Sequence, residues 1–435
     1  MPRALDVTQS IEELLVAGSD RRISLDPATG LNKYGCPPRP DPKLLAFGSS
    51  TASVISPSSY AAAFRLYERL LKGLDSLDSG WERIRDALLS DVPDTGARLA
   101  FLPSGTDAHA FAARSLSGYE KLAVVMVEEA ETGSGVRAAM SLHHAEINAI
   151  SLRNEDGMPR AAHDIDSEVA EAVESAVARG YHVLLVMVDQ SKTGMIAPSV
   201  SCSMTLGQRY PEEVSVLVDA CQFRIAPATL SDYLGQGYMV AITGSKFLTG
   251  PAFSAALMLP RNCKKEIPED KDAGLLLRWE AAMVEHRRFR ALSEDRIINI
   301  MKSFADVVQE RLSMDKRFKL LPVPTLDRSP LVTGKRWDQL QSIFPFQLCH
   351  RGKPLNHEET LSVYRLLGEP DRNVVDGRRC QLGQPVFCGR AGSALRIALS
   401  ARLISDAADQ GMDRLLDDAL AVLDKTAYLV DRIRG

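Results

Sequence analysis

Apolar residues through the middle of this chain fall into short unbroken runs, among them KLAVVMV, HVLLVMVD, VLVDACQ, YMVAIT and SAALMLP. Runs of this length bounded by turn residues predict strands buried on both faces. Between them the apolar positions recur with helical period. SSYAAAFRLYERLLKGLDSL predicts an amphipathic helix, and DIDSEVAEAVESAVARG predicts another that stops at Gly180. The alternation predicts an α/β fold, with a large domain built on a mostly parallel sheet covered by helices. From LLLRWEAAMVEHRRFRALSEDRIINIMKSFADVVQERL the chain reads as helix for a long way, a spine leading into a smaller C-terminal α/β domain. The expected boundaries are an N-terminal arm over residues 1–59, a large domain over 60–305 and a small domain over 306–435. The arm is predicted from a Pro-, Gly- and Ser-rich stretch without helical period.

Composition narrows the class of function. A net charge of -4 and a pI near 6.1 leave no basic footprint for nucleic acid. No apolar run approaches the length of a membrane helix. MPRALDVTQSIEELL lacks the apolar centre of a signal peptide, so the expectation is a cytoplasmic protein. The seven cysteines are scattered without a C-x-x-C pair, which predicts reduced thiols. The eight histidines include no H-E-x-x-H, so no metal site is expected.

The candidate chemistry sits where buried runs end. VLVDACQ closes on Asp219, and YMVAITGSKFLTGP runs into a Gly- and Ser-rich turn carrying Lys246. Strand ends of an open α/β sheet are where ligands bind. Either residue alone has a plain reading, as a cap for the Asp or a solvated side chain for the Lys. Together they match what pyridoxal phosphate needs: a carboxylate to keep the ring nitrogen protonated and an amine to hold the aldehyde as a Schiff base. PSGTDA places Gly105, Thr106 and Asp107 at a helix start suited to a phosphate, although the same motif is also a good helix cap. MSLHHAEINAISL offers the imidazole of His143 to a ring face. The strand in HVLLVMVDQSKTG ends near Ser191. Gly133 and Gly135 lie too far beyond their strand for a dinucleotide fingerprint. Arg396, inside the apolar LRIALSA, is either a structural ion pair or a clamp for a carboxylate.

Taken together, these motifs resemble the fold type I pyridoxal-phosphate enzymes, and within them the class V aminotransferase and cysteine desulfurase group, over roughly residues 60–405. The most specific part is D-A-C-Q followed by T-G-S-K. The resemblance implies pyridoxal 5'-phosphate as cofactor, with Asp219 at the ring nitrogen and Gln222 at the phenolic oxygen. It implies Thr243 and Ser245 at the phosphate beside Lys246, the phosphate loop at Gly105, Thr106 and Asp107, and His143 stacked on the ring. Ser191 stands where many members carry an asparagine, and Arg396 matches the arginine that holds the substrate carboxylate. An amino acid substrate and a homodimer are implied as well, with the loop from Thr249 to Phe253 near the partner's cofactor. The reaction expected is of class V aminotransferase type. The alternatives are a cysteine desulfurase or β-lyase acting on a sulfur-containing amino acid, with Cys380 placed about as in one desulfurase subgroup, and a decarboxylase or carbon-carbon bond-forming enzyme. Residues 48–51, Gly-Ser-Ser-Thr, are expected to shape the substrate pocket.

Overall fold

The unbroken apolar runs become the interior strands because their side chains have apolar cover on both sides. The computed structural model describes residues 9–18, 20–141, 145–263, 265–268, 271–371, 374, 377–390 and 392–434. A short strand, β1 (Leu44–Ala46), precedes a large sheet. That sheet is made of β2 (Arg98–Leu102), β3 (Leu122–Val127), β4 (Glu146–Ile150), β5 (His182–Asp189), β6 (Ile196–Ala197), β7 (Val214–Ala220), β8 (Met239–Thr243) and β9 (Ala255–Leu259). Its order is β2-β9-β8-β7-β5-β3-β4, with β6 paired to β5. Every residue of β3, β5, β8 and β9 is buried.

The five strands from β8 across to β4 run parallel. β9 is antiparallel to both β8 and β2. The chain returns from β8 through residues 244–254, a link that carries no crossover helix, so β9 has to come back antiparallel. This return is the loop that carries Lys246.

Two helices are shorter than their periodicity predicts. The helix expected to run through GLDSL ends at Leu71; Gly73 takes φ +64°, and Ser76 caps a second helix, Leu77–Leu89. The long spine is two helices, Ala273–Arg290 and Glu294–Met314, with Ser293 at the start of the second. The first is buried around most of its circumference, against the helices Pro57–Leu71, Leu77–Leu89 and Ala401–Gln410, with Trp279 reaching the carbonyl of Ala255 in β9 and Ala282 against the Lys246 loop, and the second buries a single face.

The remaining strands are β10 (Phe318–Leu320), β11 (Ile343–His350), β12 (Lys353–Pro354), β13 (Arg379–Gln381), β14 (Gly383–Cys388) and β15 (Gly392–Ala398). They form an antiparallel sheet of order β10-β11-β15-β14, while β13 pairs in parallel with β1. Residues 44–51 are therefore stitched into the structure. Leu45 pairs with Cys380, and Gly48 bridges to Ala398. This carries Ser50 and Thr51 to the ends of the large sheet's strands. Among the described residues no helix is long and apolar enough to cross a membrane.

Candidate active site

The C-terminal ends of β5, β7 and β8 open into a cavity of about 300 Å³ that Asp219, Lys246, Arg396 and Gly105 line together, with Ser50 and Thr51 from the N-terminal arm. Asp219 is its electrostatic centre. Thr132 Oγ1 donates to Asp219 Oδ2 at 2.9 Å, and the backbone N–H of Cys221 donates to Oδ1 at 3.1 Å. His109 Nε2 stands 3.2 Å from Oδ2, an ion-pair approach rather than an aligned hydrogen bond. His109 Nδ1 is 2.7 Å from the carbonyl of Gly105, to which it donates.

Burial alone would raise the pKa of Asp219, but the His109 imidazolium, with Lys246 behind it, holds it well below the usual carboxylate range. Burial alone would lower that of His109; the Asp219 carboxylate and the Gly105 carbonyl outweigh it and raise the pKa. The result is a buried charged pair whose carboxylate stays ionised.

Lys246 sits on the wall of the cavity, half-buried, in a loop that closes on itself. Thr249 N donates to Lys246 O at 3.0 Å and Gly250 N to Gly244 O at 2.9 Å. The loop lies so close to the helix Ala273–Arg290 that a Cβ on Gly250 would come within 2.7 Å of Ala282 Cβ. Thr249 and Phe253 take φ of 53° and 67°. Ala252 and Phe253 line the cavity of their own chain.

Gly105 opens the helix Gly105–Ser115 at the cavity wall, and a Cβ there would meet Cys221 Sγ at 2.8 Å. Thr106 and Ser245 line the same wall. Thr243 also lines it, with its hydroxyl donating to the carbonyl of Cys221 at 2.7 Å. Asp107 does not line the cavity. Its carboxylate accepts from Ser104 Oγ at 2.6 Å, and its N–H donates back to that hydroxyl at 3.2 Å, so it serves the helix start.

Gln222 is buried and donates from Nε2 to the carbonyl of Ser50 at 3.0 Å. Behind it lies Arg224, a buried guanidinium that reaches Ser49 Oγ at 2.8 Å, Ser342 Oγ at 3.0 Å and the Gln222 amide oxygen at 3.4 Å. Ser191 lines the cavity, but its hydroxyl donates to Glu131 Oε2 at 2.6 Å. Burial pushes the pKa of Glu131 up, and Arg153, Ser191 and Thr193 together bring it below its ordinary value.

Arg396 is 1% exposed. It donates to the carbonyl of Gln384 and, through Nη2, to Thr51 Oγ1 at 2.9 Å, while Nε is buried without a partner. A Cβ on Gly383 would lie 3.1 Å from its guanidinium carbon. His143 lies outside the described residues.

Cys380 is in β13, away from the cavity, and burial pushes its thiol up to about 11. Cys221 does line the cavity, but burial and then Asp219 push its thiol well above the ordinary value. A thiolate is disfavoured at both positions.

Reading the motifs missed His109, Thr132, Glu131 and Lys192, all of which reach the cavity. A signal existed for the first: His109 is one helical turn on from Gly105 and so shares its face. Thr132 directly precedes Gly133-x-Gly135, and its hydroxyl, which no motif marks, is the group of that loop that reaches Asp219.

No family model matches the chain, and no curated protein matches it in sequence. Solved structures do match in fold. The chain is similar to the cystine C–S lyase C-DES, solved with its reaction product cysteine persulfide, at TM-score 0.57 and 14% identity over 86% of this chain and 97% of that one. It is similar to a NifS-like protein from Rickettsia africae at TM-score 0.56 and 12% identity, over 86% of this chain and 99% of that one. Against SPT with PLP the TM-score is 0.55 at 14% identity, over 88% of this chain and 87% of that one. The chain has the fold type I architecture of the pyridoxal-phosphate enzymes, as its motifs imply.

Proposed function

We propose that this protein is a pyridoxal-phosphate-dependent enzyme that transforms an α-amino acid, of the class V aminotransferase type. The observation that carries the reading is the meeting of Asp219, held ionised by His109, with Lys246 and Arg396 around one cavity. The donor set fits the cofactor. A buried carboxylate that stays charged suits a protonated pyridine nitrogen, the helix start at Gly105 on the cavity wall offers N–H groups to a phosphate, and the unpartnered Arg396 Nε leaves a donor for a carboxylate.

When bound, the cofactor supplies an electron sink for a bond broken at the substrate's α-carbon. Asp219 would hold a proton on the ring nitrogen, with His109 and Thr132 keeping the carboxylate in place. Lys246 Nζ would hold the aldehyde and, once released, move protons. The N–H groups at Gly105 and Thr106, with the Ser245 and Thr243 side chains, would hold the phosphate. Gln222 would face the phenolic oxygen, steadied by Ser50 and Arg224. Arg396, oriented by Thr51 and Gln384, would take the substrate carboxylate.

The proposal includes a large domain over 60–305, a small domain over 306–435, an arm over 1–59, a homodimer and a reducing compartment. The last is supported by seven free cysteines. A desulfurase loses support because its nucleophile has to be a thiolate on a loop at the site, whereas Cys380 is a buried strand residue. β-Elimination needs no protein thiolate and is the competing outcome.

The test is an absorbance spectrum of the purified protein with pyridoxal phosphate, wild type and Lys246→Ala, before and after borohydride reduction. The expected result is a Schiff-base band in the wild type alone, and a reduced adduct on the peptide containing residue 246. Adding amino acids with a 2-oxo acid acceptor then separates amine transfer from release of ammonia or sulfide. A wild-type spectrum with no band and no adduct overturns the proposal.

A further inference from the structure

Lys192, Lys246 and Arg396 line the cavity, and among the described residues none of them is ion-paired to a carboxylate. The two acidic groups in the same wall are already engaged: Asp219 with His109 and Thr132, and Glu131 with Arg153, Ser191 and Thr193. Lys246 is assigned above to the cofactor and Arg396 to the substrate's α-carboxylate, which leaves Lys192.

Lys192 follows Ser191 just beyond the end of β5, and Nζ donates to the carbonyl of Glu129 at 2.8 Å. That bond uses one of its three donors. Burial, followed by the positive fields of Arg396 and Lys246, lowers its pKa to about 8. It is thus a mostly charged ammonium at neutral pH, kept close to other cations, whose fields Glu131 and Glu129 offset in part.

Lys192 is poorly placed for the cofactor's phosphate. The Gly105, Thr243 and Ser245 wall belongs to the β8 side of the sheet, and β5 lies beyond β7 from it. Strands lie about 4.8 Å apart, so the two sides are separated by roughly 10 Å.

We propose that Lys192, on the same cavity wall as the α-carboxylate site at Arg396, forms the cationic subsite for a second anionic group of the substrate, so that the amino acid has an acidic side chain, either carboxylate or phosphate. This rests on reading the cavity as an amino acid site. An anion there relieves the repulsion between the two cations and satisfies donors that a neutral side chain leaves unpaired. That asymmetry is the kind from which strong discrimination arises.

The experiment uses the full chain with and without pyridoxal phosphate. Thermal shift and calorimetry compare succinate with its monoamide, and L-aspartate and O-phospho-L-serine with L-asparagine and L-serine, in wild type, Lys192→Met and Lys192→Arg. The expected result is a preference of about tenfold or more for each anionic member, abolished in Lys192→Met and kept in Lys192→Arg. The aspartate and phosphoserine arms tell a carboxylate substrate from a phosphorylated one. Equal affinity for anionic and neutral members in the wild type, or a preference that survives Lys192→Met, overturns the subsite. The Lys246-dependent band reports on the cofactor separately. If the band is absent while succinate is preferred through Lys192, the cofactor reading fails and the subsite stands; if the band is present without preference, the reverse holds.

Discussion

His109 Nε2 lies 3.2 Å from Asp219 Oδ2, and the same ring holds the Gly105 carbonyl at 2.7 Å. One imidazole thus ties the carboxylate at the end of β7 to the first turn of the helix that opens at Gly105. Removing it leaves a buried carboxylate with only Thr132 and a backbone N–H. His109→Ala is expected to destabilise the protein by roughly 3–5 kcal/mol, the range for breaking one side of a buried ion pair. Urea unfolding of the cofactor-free protein measures this. A loss below about 1 kcal/mol, the scale of an exposed pair, would show that the pair is solvated.

The same pair sets a pH dependence whose sign can be worked out. The pKa of Asp219 is depressed in the folded state, so its contribution is present above the ordinary carboxylate range and is lost as pH falls through the folded value. That of His109 is raised, so its contribution is complete below about pH 6.5 and is lost as pH rises through the folded value. The pair's stabilisation should therefore decline above neutral pH. In Asp219→Asn the buried imidazole has lost its anion and burial lowers its pKa. The histidine's contribution to the slope then changes sign. Unfolding free energies across this window, wild type minus variant, provide the check.

Gly383 faces Arg396 because a side chain has no room there: a Cβ would lie 2.5 Å from Ser50 Oγ and 3.1 Å from the guanidinium carbon. Gly383→Ala is expected to displace the guanidinium and weaken amino acid binding, at a cost of about 1–3 kcal/mol for overpacking. The Lys246-dependent absorbance should persist. Spectral titration separates the two effects, and unchanged amino acid affinity would count against Arg396 as the carboxylate clamp.

Arg328 and Asp189 form a pair with both side chains fully buried, 2.7 Å apart, with Tyr233 OH donating to the same carboxylate at 2.7 Å. The pair anchors the end of β5, from which Gln190, Ser191 and Lys192 continue to the cavity. Arg328→Met should cost about 3–5 kcal/mol, and Arg328→Met with Asp189→Leu should recover much of it, since an apolar replacement of both partners is often close to neutral. Denaturant midpoints of the two variants decide. Equal losses in the single and double variants would mean that packing, rather than the stranded charge, sets the cost.

The sequence by itself determined the parts that depend on local pattern. Short, fully apolar runs rich in β-branched residues and bounded by turn residues read as interior strands, so the large sheet and its mostly parallel character were legible, and Asp219 and Lys246 fell at strand ends because each closes its own run. Arg396 was legible as an anomaly, a guanidinium on an apolar strand. Tertiary structure decided whatever depends on a second element arriving. It turned the Ser191 hydroxyl onto Glu131. It took Cys380 into a strand with β1, and divided the long spine where one half is enclosed and the other exposes a face. Above all, it brought His109 and Thr132 to Asp219 from a helix and a loop distant in sequence. The charge state of a buried carboxylate is set by the groups that surround it in space, and local pattern does not contain them.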